Sequence, residues 1–205
     1  MEKHKRAGAV RVAMIHNIAQ GVPAFTSNAF LVVGERNVLI DAGNDFDAIS
    51  RVQDSIDILD AIVLTHTHPD HIGNVSTLKS EFDPTIWGYD SSHGLIEHTI
   101  ADQEVVKFGN HEYKALYTPG HAPDHLCFYS SGSGVLFAGD LIFANGGFGR
   151  TDLPGSDRST LIESIDYVLE TVDDSFSAMY TGHGPAIDTD PLTDIELARR
   201  AAQIG

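Results

Sequence analysis

Cysteine is nearly absent from this chain. Cys127 is the only one in 205 residues, so no internal disulfide can form. Its setting, Leu126-Cys127-Phe128-Tyr129, marks it as a small buried hydrophobe. Long apolar runs are missing too. The basic start, Met1 to Arg6, leads into a segment from Ala7 to Ile18 that carries Arg11 and His16, which argues against a signal peptide or a membrane span. Both features fit a reducing, cytoplasmic location.

Basic residues are scarce. Lys and Arg total 13 against 29 acidic residues, a formal charge of −16, and past residue 6 the lysines are Lys79, Lys107 and Lys114. Nucleic-acid binders draw most of their affinity from basic contacts to phosphate, so this balance weighs against such a partner. The acids are scattered and form no tail block. They read as a strongly hydrated surface of the kind found in proteins working at high salt. There is no low-complexity segment or linker, and no Ser or Cys stands in a nucleophile motif. A single domain over residues 1–205 is expected.

What is present is histidine in one dense run. Thr65-His66-Thr67-His68-Pro69-Asp70-His71 places four candidate metal ligands in six residues, directly after Ala61-Ile62-Val63-Leu64. That short β-branched stretch reads as a buried strand. A strand ending in His-x-His would aim both imidazoles at one face, and two converging neutral imidazoles are half of a typical zinc site. Pro69 ends the strand, and the turn carrying Asp70 and His71 leads into a helix expected over Ile72 to Ser80. His4, His16, His93, His98 and His111 have no metal-like spacing and are expected to be solvated or structurally hydrogen-bonded.

Further strands are expected near Val12–Ile18, Asn28–Val33, Val38–Asp41, Thr85–Trp87, Glu104–Phe108, Tyr113–Tyr117, Leu126–Ser130, Val135–Ala138 and Ala178–Tyr180. Helices are expected over Asp45–Ser55, Ser159–Thr171 and Thr193–Gln203. One echo stands out. Phe30 to Gly34 followed by Asn37 to Gly43 resembles Leu126 to Ser130 followed by Val135 to Asp140: each is a hairpin delivering a carboxylate beside a glycine. Two similar halves packed sheet against sheet would follow. Three later residues in glycine-containing turns have the chemistry to complete a metal site: His121 in Thr118-Pro119-Gly120-His121, Asp140 in Ala138-Gly139-Asp140, and His183 in Thr181-Gly182-His183-Gly184.

These five motifs, from Leu39-Ile40-Asp41-Ala42-Gly43 to His183, resemble those of the metallo-β-lactamase superfamily in the same order. The resemblance implies an α/β fold, an αββα four-layer sandwich of two mixed sheets with helices outside. It assigns His66, His68 and His121 to one metal, Asp70, His71 and His183 to a second, and Asp140 as the bridge. Within the superfamily the chain is similar to glyoxalase II-like hydrolases. Phe148-Gly149-Arg150-Thr151-Asp152-Leu153-Pro154-Gly155-Ser156 resembles a signature of their short members, while the C-terminal helical domain that helps longer members bind glutathione is not expected, since 22 residues follow His183. Asp140 stands where the commonest class of true β-lactamases has cysteine, which argues against antibiotic hydrolysis.

The resemblance implies a dinuclear hydrolase of a small ester or thioester. Two divalent metals, zinc first with iron or manganese admissible, would share a water whose pKa falls toward roughly 7, and Asp70 would orient this nucleophile. Two alternatives come from the same superfamily. A persulfide dioxygenase would hold one iron on His66, His121 and Asp140; an RNA-processing nuclease is disfavoured by charge and length. Asp41, Thr65 and the Asp124-His125 pair are candidates to support the ligands from behind, with Asp41 foremost; His125 has substrate contact or solvent as its other options. Arg150 either grips an anionic substrate group or pins its loop by pairing with Asp152. The partner expected is a small molecule, with no membrane involved.

Overall fold

The computed structural model describes residues 14–204. In chain order the elements are β1 (Met14–Asn17), β2 (Phe30–Val33), β3 (Val38–Ile40), α1 (Ala48–Gln53), β4 (Ala61–Val63), α2 (Pro69–Ile72), α3 (Val75–Phe82), β5 (Thr85–Gly88), β6 (His98–Thr99), β7 (Val105–Phe108), β8 (His111–Tyr117), β9 (Leu126–Ser130), β10 (Val135–Gly139), β11 (Ile142–Phe143), β12 (Gly147–Phe148), α4 (Arg158–Thr171), β13 (Ala178–Thr181) and α5 (Pro191–Ile204). One sheet runs β1-β2-β3-β4-β5-β6 and a second runs β13-β10-β9-β8-β7. Both are mixed. β1 to β3 are antiparallel and β3 to β6 parallel, whereas β7 to β10 are antiparallel with β13 parallel to β10.

Alternation along the strands builds the layers. Phe30, Val32, Val38, Ile40, Ala61 and Val63 face Phe108, Ala115, Leu126, Phe128 and Phe137 in a core between the sheets. The intervening Leu31, Leu39 and Ile62 turn the other way, onto Val52 of α1 and Leu78 of α3. On the far side, Leu116, Cys127, Leu136 and Met179 meet Leu161 and Ile165 of α4 and Ile195 and Ala198 of α5. This is the expected αββα sandwich. Strands buried on both faces read in sequence as unbroken apolar runs, as these do.

The echo is structural. β2–β3 and β9–β10 are antiparallel hairpins, one in each sheet, and each is followed at once by an aspartate, Asp41 or Asp140. Several boundaries differ from expectation. The helix expected over Ile72–Ser80 is split, because Asn74 leaves α2 to donate its side-chain amide to the Ala42 carbonyl (3.0 Å), with its backbone N–H on Gly43 (3.1 Å). α1 starts late, at Ala48, since Asp47 caps it by accepting from the Ser50 N–H (3.1 Å). α5 begins two residues early, at Pro191, a residue whose missing N–H suits a first turn. β6, β11 and β12 are two residues each, too short to show a period. Val12 and Ala13 of the first expected strand, His4 and the Met1–Arg6 stretch lie outside the described residues.

Candidate metal centre

The ends of β3, β4, β8, β10 and β13 open onto one edge of the sandwich, and backbone bonds lock their loops together. Leu126 N–H donates to the Thr65 carbonyl (2.7 Å), Gly182 N–H to Gly139 (2.7 Å), Ala42 N–H to His71 (2.8 Å) and Ser27 N–H to Asp70 (3.1 Å). β4 ends at Val63, so His66 and His68 lie beyond the strand, and their convergence does not come from strand alternation. It comes from the extended loop, in which His68 is the residue preceding α2 and Thr67 donates to Asp124 Oδ2 (2.7 Å), tying this loop to the one bearing His121.

Seven side chains meet here. His68 Nδ1 lies 3.0 Å from His66 Nε2 and 2.9 Å from His121 Nε2. His183 Nε2 lies 3.1 Å from Asp70 Oδ2, and His71 Nε2 is 3.9 Å from the same oxygen. Asp140 stands between the two groups: Oδ2 is 3.5 Å from both His121 Nε2 and His183 Nε2, and Oδ1 is 3.3 Å from His71 Nε2. Three sets therefore have ligand atoms within 4.8 Å of one another: His66, His68 and His121; His66, His71 and Asp140; Asp70, His71 and His183.

The hydrogen bonds behind these residues decide which ring nitrogens are acceptors. Asp41, left-handed at φ 57°, accepts the Thr65 N–H at Oδ1 (2.8 Å), and at Oδ2 both the Thr65 hydroxyl (2.8 Å) and His71 Nδ1–H (2.8 Å). With its proton committed to Asp41, the Thr65 oxygen accepts from His66 Nδ1–H (3.1 Å). His121 Nδ1–H donates to the Arg150 carbonyl (2.9 Å). His66, His71 and His121 are thus each set with Nδ1 protonated and the Nε2 lone pair facing inward. Of the two short contacts at His68 Nδ1, one proton can serve only one. His71 Nε2 and Asp140 Oδ1 are buried without an aligned hydrogen bond. A cluster of acceptors with too few donors is costly unless a cation occupies it, and imidazole plus carboxylate suits a divalent metal.

Without a cation, protons would balance the carboxylates of the cluster. Burial opposes charge on His71, but Asp41 and Asp140 beside it raise its pKa well above the usual imidazole value. Burial likewise opposes charge on His183, and hydrogen bonds to Asp140 and Asp70 carry it up to about 9. Asp140 is held well below the usual carboxylate range, since the pull of His71 and His183 exceeds its burial penalty. Asp70 is lowered in the same way through His183. His66 falls well below its ordinary value through burial and then repulsion from His71.

His125 turns out to touch neither substrate space nor solvent. It is fully buried, its Nε2 accepts the Asp140 backbone N–H (3.0 Å), and Nδ1–H points to the Thr118 hydroxyl (2.9 Å). Burial, then His121, push it down to about 3, so it stays neutral and positions Asp140 by its main chain. The sequence marked His125 but could not show which group it would meet. Arg150 is paired with Asp152 through Nε to Oδ1 (2.9 Å) and Nη2 to Oδ2 (2.8 Å), the loop-pinning arrangement, while also lining a cavity of about 660 Å³ over the ligand cluster. That cavity has apolar walls from Phe25, Phe143, Phe148, Leu153 and Pro154. Phe143 and Phe148 end the paired two-residue strands β11 and β12, and Phe25 comes from the loop between β1 and β2, so no periodicity in sequence links the three. Cys127 is fully buried as expected, its thiol pushed up to about 12. Among the described residues no helix is long and apolar enough to cross a membrane.

Residues 22–183 match the family described as the Metallo-beta-lactamase superfamily. Hydroxyacylglutathione hydrolase GloC of Haemophilus influenzae is 31% identical over 188 residues, spanning 80% of this chain and 88% of that protein. Among solved structures, TTHA1623 in a di-iron-bound form superposes with a TM-score of 0.69 at 29% identity, covering 85% of this chain and 92% of that one. ETHE1 from Myxococcus xanthus does so at 0.67 and 26%, covering 78% and 72%.

Proposed function

From a chain that belongs to the metallo-beta-lactamase superfamily, we infer a dinuclear metal-dependent hydrolase acting on a small ester or thioester. The observation that carries this reading is Asp140. Its two oxygens face His121, His183 and His71, residues drawn from both ligand groups, as a bridge between two cations requires. A similar chain that crystallised in a di-iron-bound form and a similar hydroxyacylglutathione hydrolase support it.

His66, His68 and His121 would hold one cation, Asp70, His71 and His183 the other, with Asp140 shared. Two divalent cations so held would supply Lewis acidity for a carbonyl and lower the pKa of a bound water toward roughly 7. The chain's own residues do the rest. Asp41 and Thr65 keep His66 and His71 in the tautomer that offers Nε2 inward. Asp70, on α2 with its largely buried side chain at the cavity wall, accepts a hydrogen bond from an attacking water and so aims its oxygen at the substrate carbonyl. The apolar walls exclude bulk water and strengthen the field at the reacting carbonyl. No side-chain nucleophile is needed.

A second reading, a one-iron persulfide dioxygenase on His66, His121 and Asp140, is suggested by the Gly149-Arg150-Thr151-Asp152 stretch. It leaves Asp70, His71 and His183 without a task, although they form a compact set of their own. Metal analysis of protein purified without supplements, with thioester and persulfide assays run in parallel, separates the two. About two metals per chain with thioester cleavage is the expected result. One iron with oxygen uptake would replace the reading.

A further inference from the structure

The cavity over the ligand cluster carries a charge pattern as well as a shape. Phe25 stacks on His183 (ring centroids 5.9 Å apart, 25° between planes) and Phe143 meets the same imidazole edge-on at 6.0 Å. The apolar wall therefore starts at the ligand cluster itself, where the group attached to a scissile carbonyl must lie. Phe25 is 81% exposed, so most of its ring is free to cover a group lying in the cleft. Phe148 continues the wall, backed by the Arg158 guanidinium 5.2 Å from its ring centre.

Arg150 is the one cation among the lining residues other than histidine. Its guanidinium is engaged by Asp152 through two parallel hydrogen bonds, so the pair presents no net charge. An anionic group on a substrate would meet a guanidinium whose charge Asp152 already balances, and the −16 charge of the chain opposes its approach.

We propose that this site takes a thioester or ester with an apolar acyl group and a leaving group without net negative charge, Phe25, Phe143, Phe148 and Leu153 receiving the acyl chain and Asp152 offsetting the charge that Arg150 would offer an anion. The proposal rests on the hydrolase reading and narrows it away from glutathione thioesters. Asp152 acts here through Arg150, as a positioning residue for specificity.

Two non-cleavable thioethers with the same tail test it by calorimetry on the metal-loaded protein: S-hexyl-N-acetylcysteamine, which is neutral, and S-hexylglutathione, which is anionic. The neutral compound should bind several-fold more tightly, and at least about tenfold more tightly than its S-methyl counterpart, since the added methylenes leave water. Phe148→Ala should shrink that tail effect by about three- to tenfold. Asp152→Asn should narrow the neutral-to-anionic ratio by freeing Arg150. Equal or tighter binding of S-hexylglutathione by the unmodified protein, or an unchanged ratio in Asp152→Asn, overturns the proposal. Turnover separates its failure from that of the reading beneath it. Faster cleavage of lactoylglutathione than of hexanoyl-N-acetylcysteamine removes the substrate class and keeps the hydrolase. No cleavage of any thioester or ester by protein holding two metals, with the thioether ranking intact, removes the hydrolase and keeps the binding preference.

Discussion

Replacing Asp41 with Asn is the most informative single perturbation of the metal centre. Asp41 Oδ1 accepts one N–H, from Thr65, and Oδ2 accepts two protons, from the Thr65 hydroxyl and His71 Nδ1. An asparagine must keep its oxygen on the Thr65 N–H, because the opposite orientation sets an N–H against an N–H. Its amide NH₂ then faces His71 Nδ1, which can accept it only by giving up its proton. The ring switches tautomer, the proton moves to Nε2, and the atom aimed at the cations becomes a donor. The Thr65 hydroxyl must also turn, loosening the orientation of His66. Losses of this kind behind a ligand weaken metal affinity by about 10–100-fold, or about 1.4–2.7 kcal/mol. Asn tolerates the left-handed φ of 57° at this position, so the backbone has no reason to move; alanine would add strain there and confuse the result. Competition with a chromophoric chelator gives the affinity, and far-ultraviolet circular dichroism reports the fold. An affinity within twofold of the unmodified protein, with an unchanged spectrum, would refute the tautomer argument.

Other consequences are equally direct. In the metal-free protein His183 has its pKa raised to about 9 from an unfolded value near 6.5. The stability it contributes is complete below about 6.5 and lost as pH rises through about 9; urea titrations of apoprotein at pH 6 and pH 9.5 should show the lower midpoint at pH 9.5. Metal binding must displace the protons on His71 and His183, so calorimetry in buffers of different ionisation enthalpy should reveal release of about one to two protons at pH 7, and buffer-independent heats would contradict it. Gly182→Ala would set a methyl carbon 2.0 Å from Asp140 Oδ1, and metal content should fall to one per chain or less by elemental analysis. His125→Ala strips the Asp140 N–H of its acceptor in a fully buried place, and should destabilise the apoprotein by about 2–4 kcal/mol in urea; a change under about 0.5 kcal/mol would show that Asp140 does not depend on it.

The sandwich was legible because its strands are short, apolar and bounded by turn residues, and because one hairpin pattern occurs twice. The seven side chains were legible because they lie in the segments following β4, β8, β10 and β13, four in one dense run and three directly after a glycine. Element ends were not, since they depend on contacts distant in sequence: Asn74 leaves the helix to reach Ala42, and no local pattern announces that. Strand alternation does not explain the convergence of His66 and His68, since β4 ends at Val63. Alternation along a strand is a local rule, whereas their placement depends on Thr67 meeting Asp124, 57 residues away. The aromatic wall was hidden for the same cause, because Phe25 joins Phe143 and Phe148 only once the loop between β1 and β2 has folded over the cluster.

The bond from His121 Nδ1–H to Arg150 is made to a main-chain carbonyl, and this separates two properties that share one loop. Any amino acid at position 150 offers that carbonyl, so the imidazole keeps its partner whatever side chain projects toward the cavity. Substitutions that retune the choice of substrate at this position therefore start from an intact catalytic centre. The loop is a place where new specificities can be tried without first dismantling the chemistry.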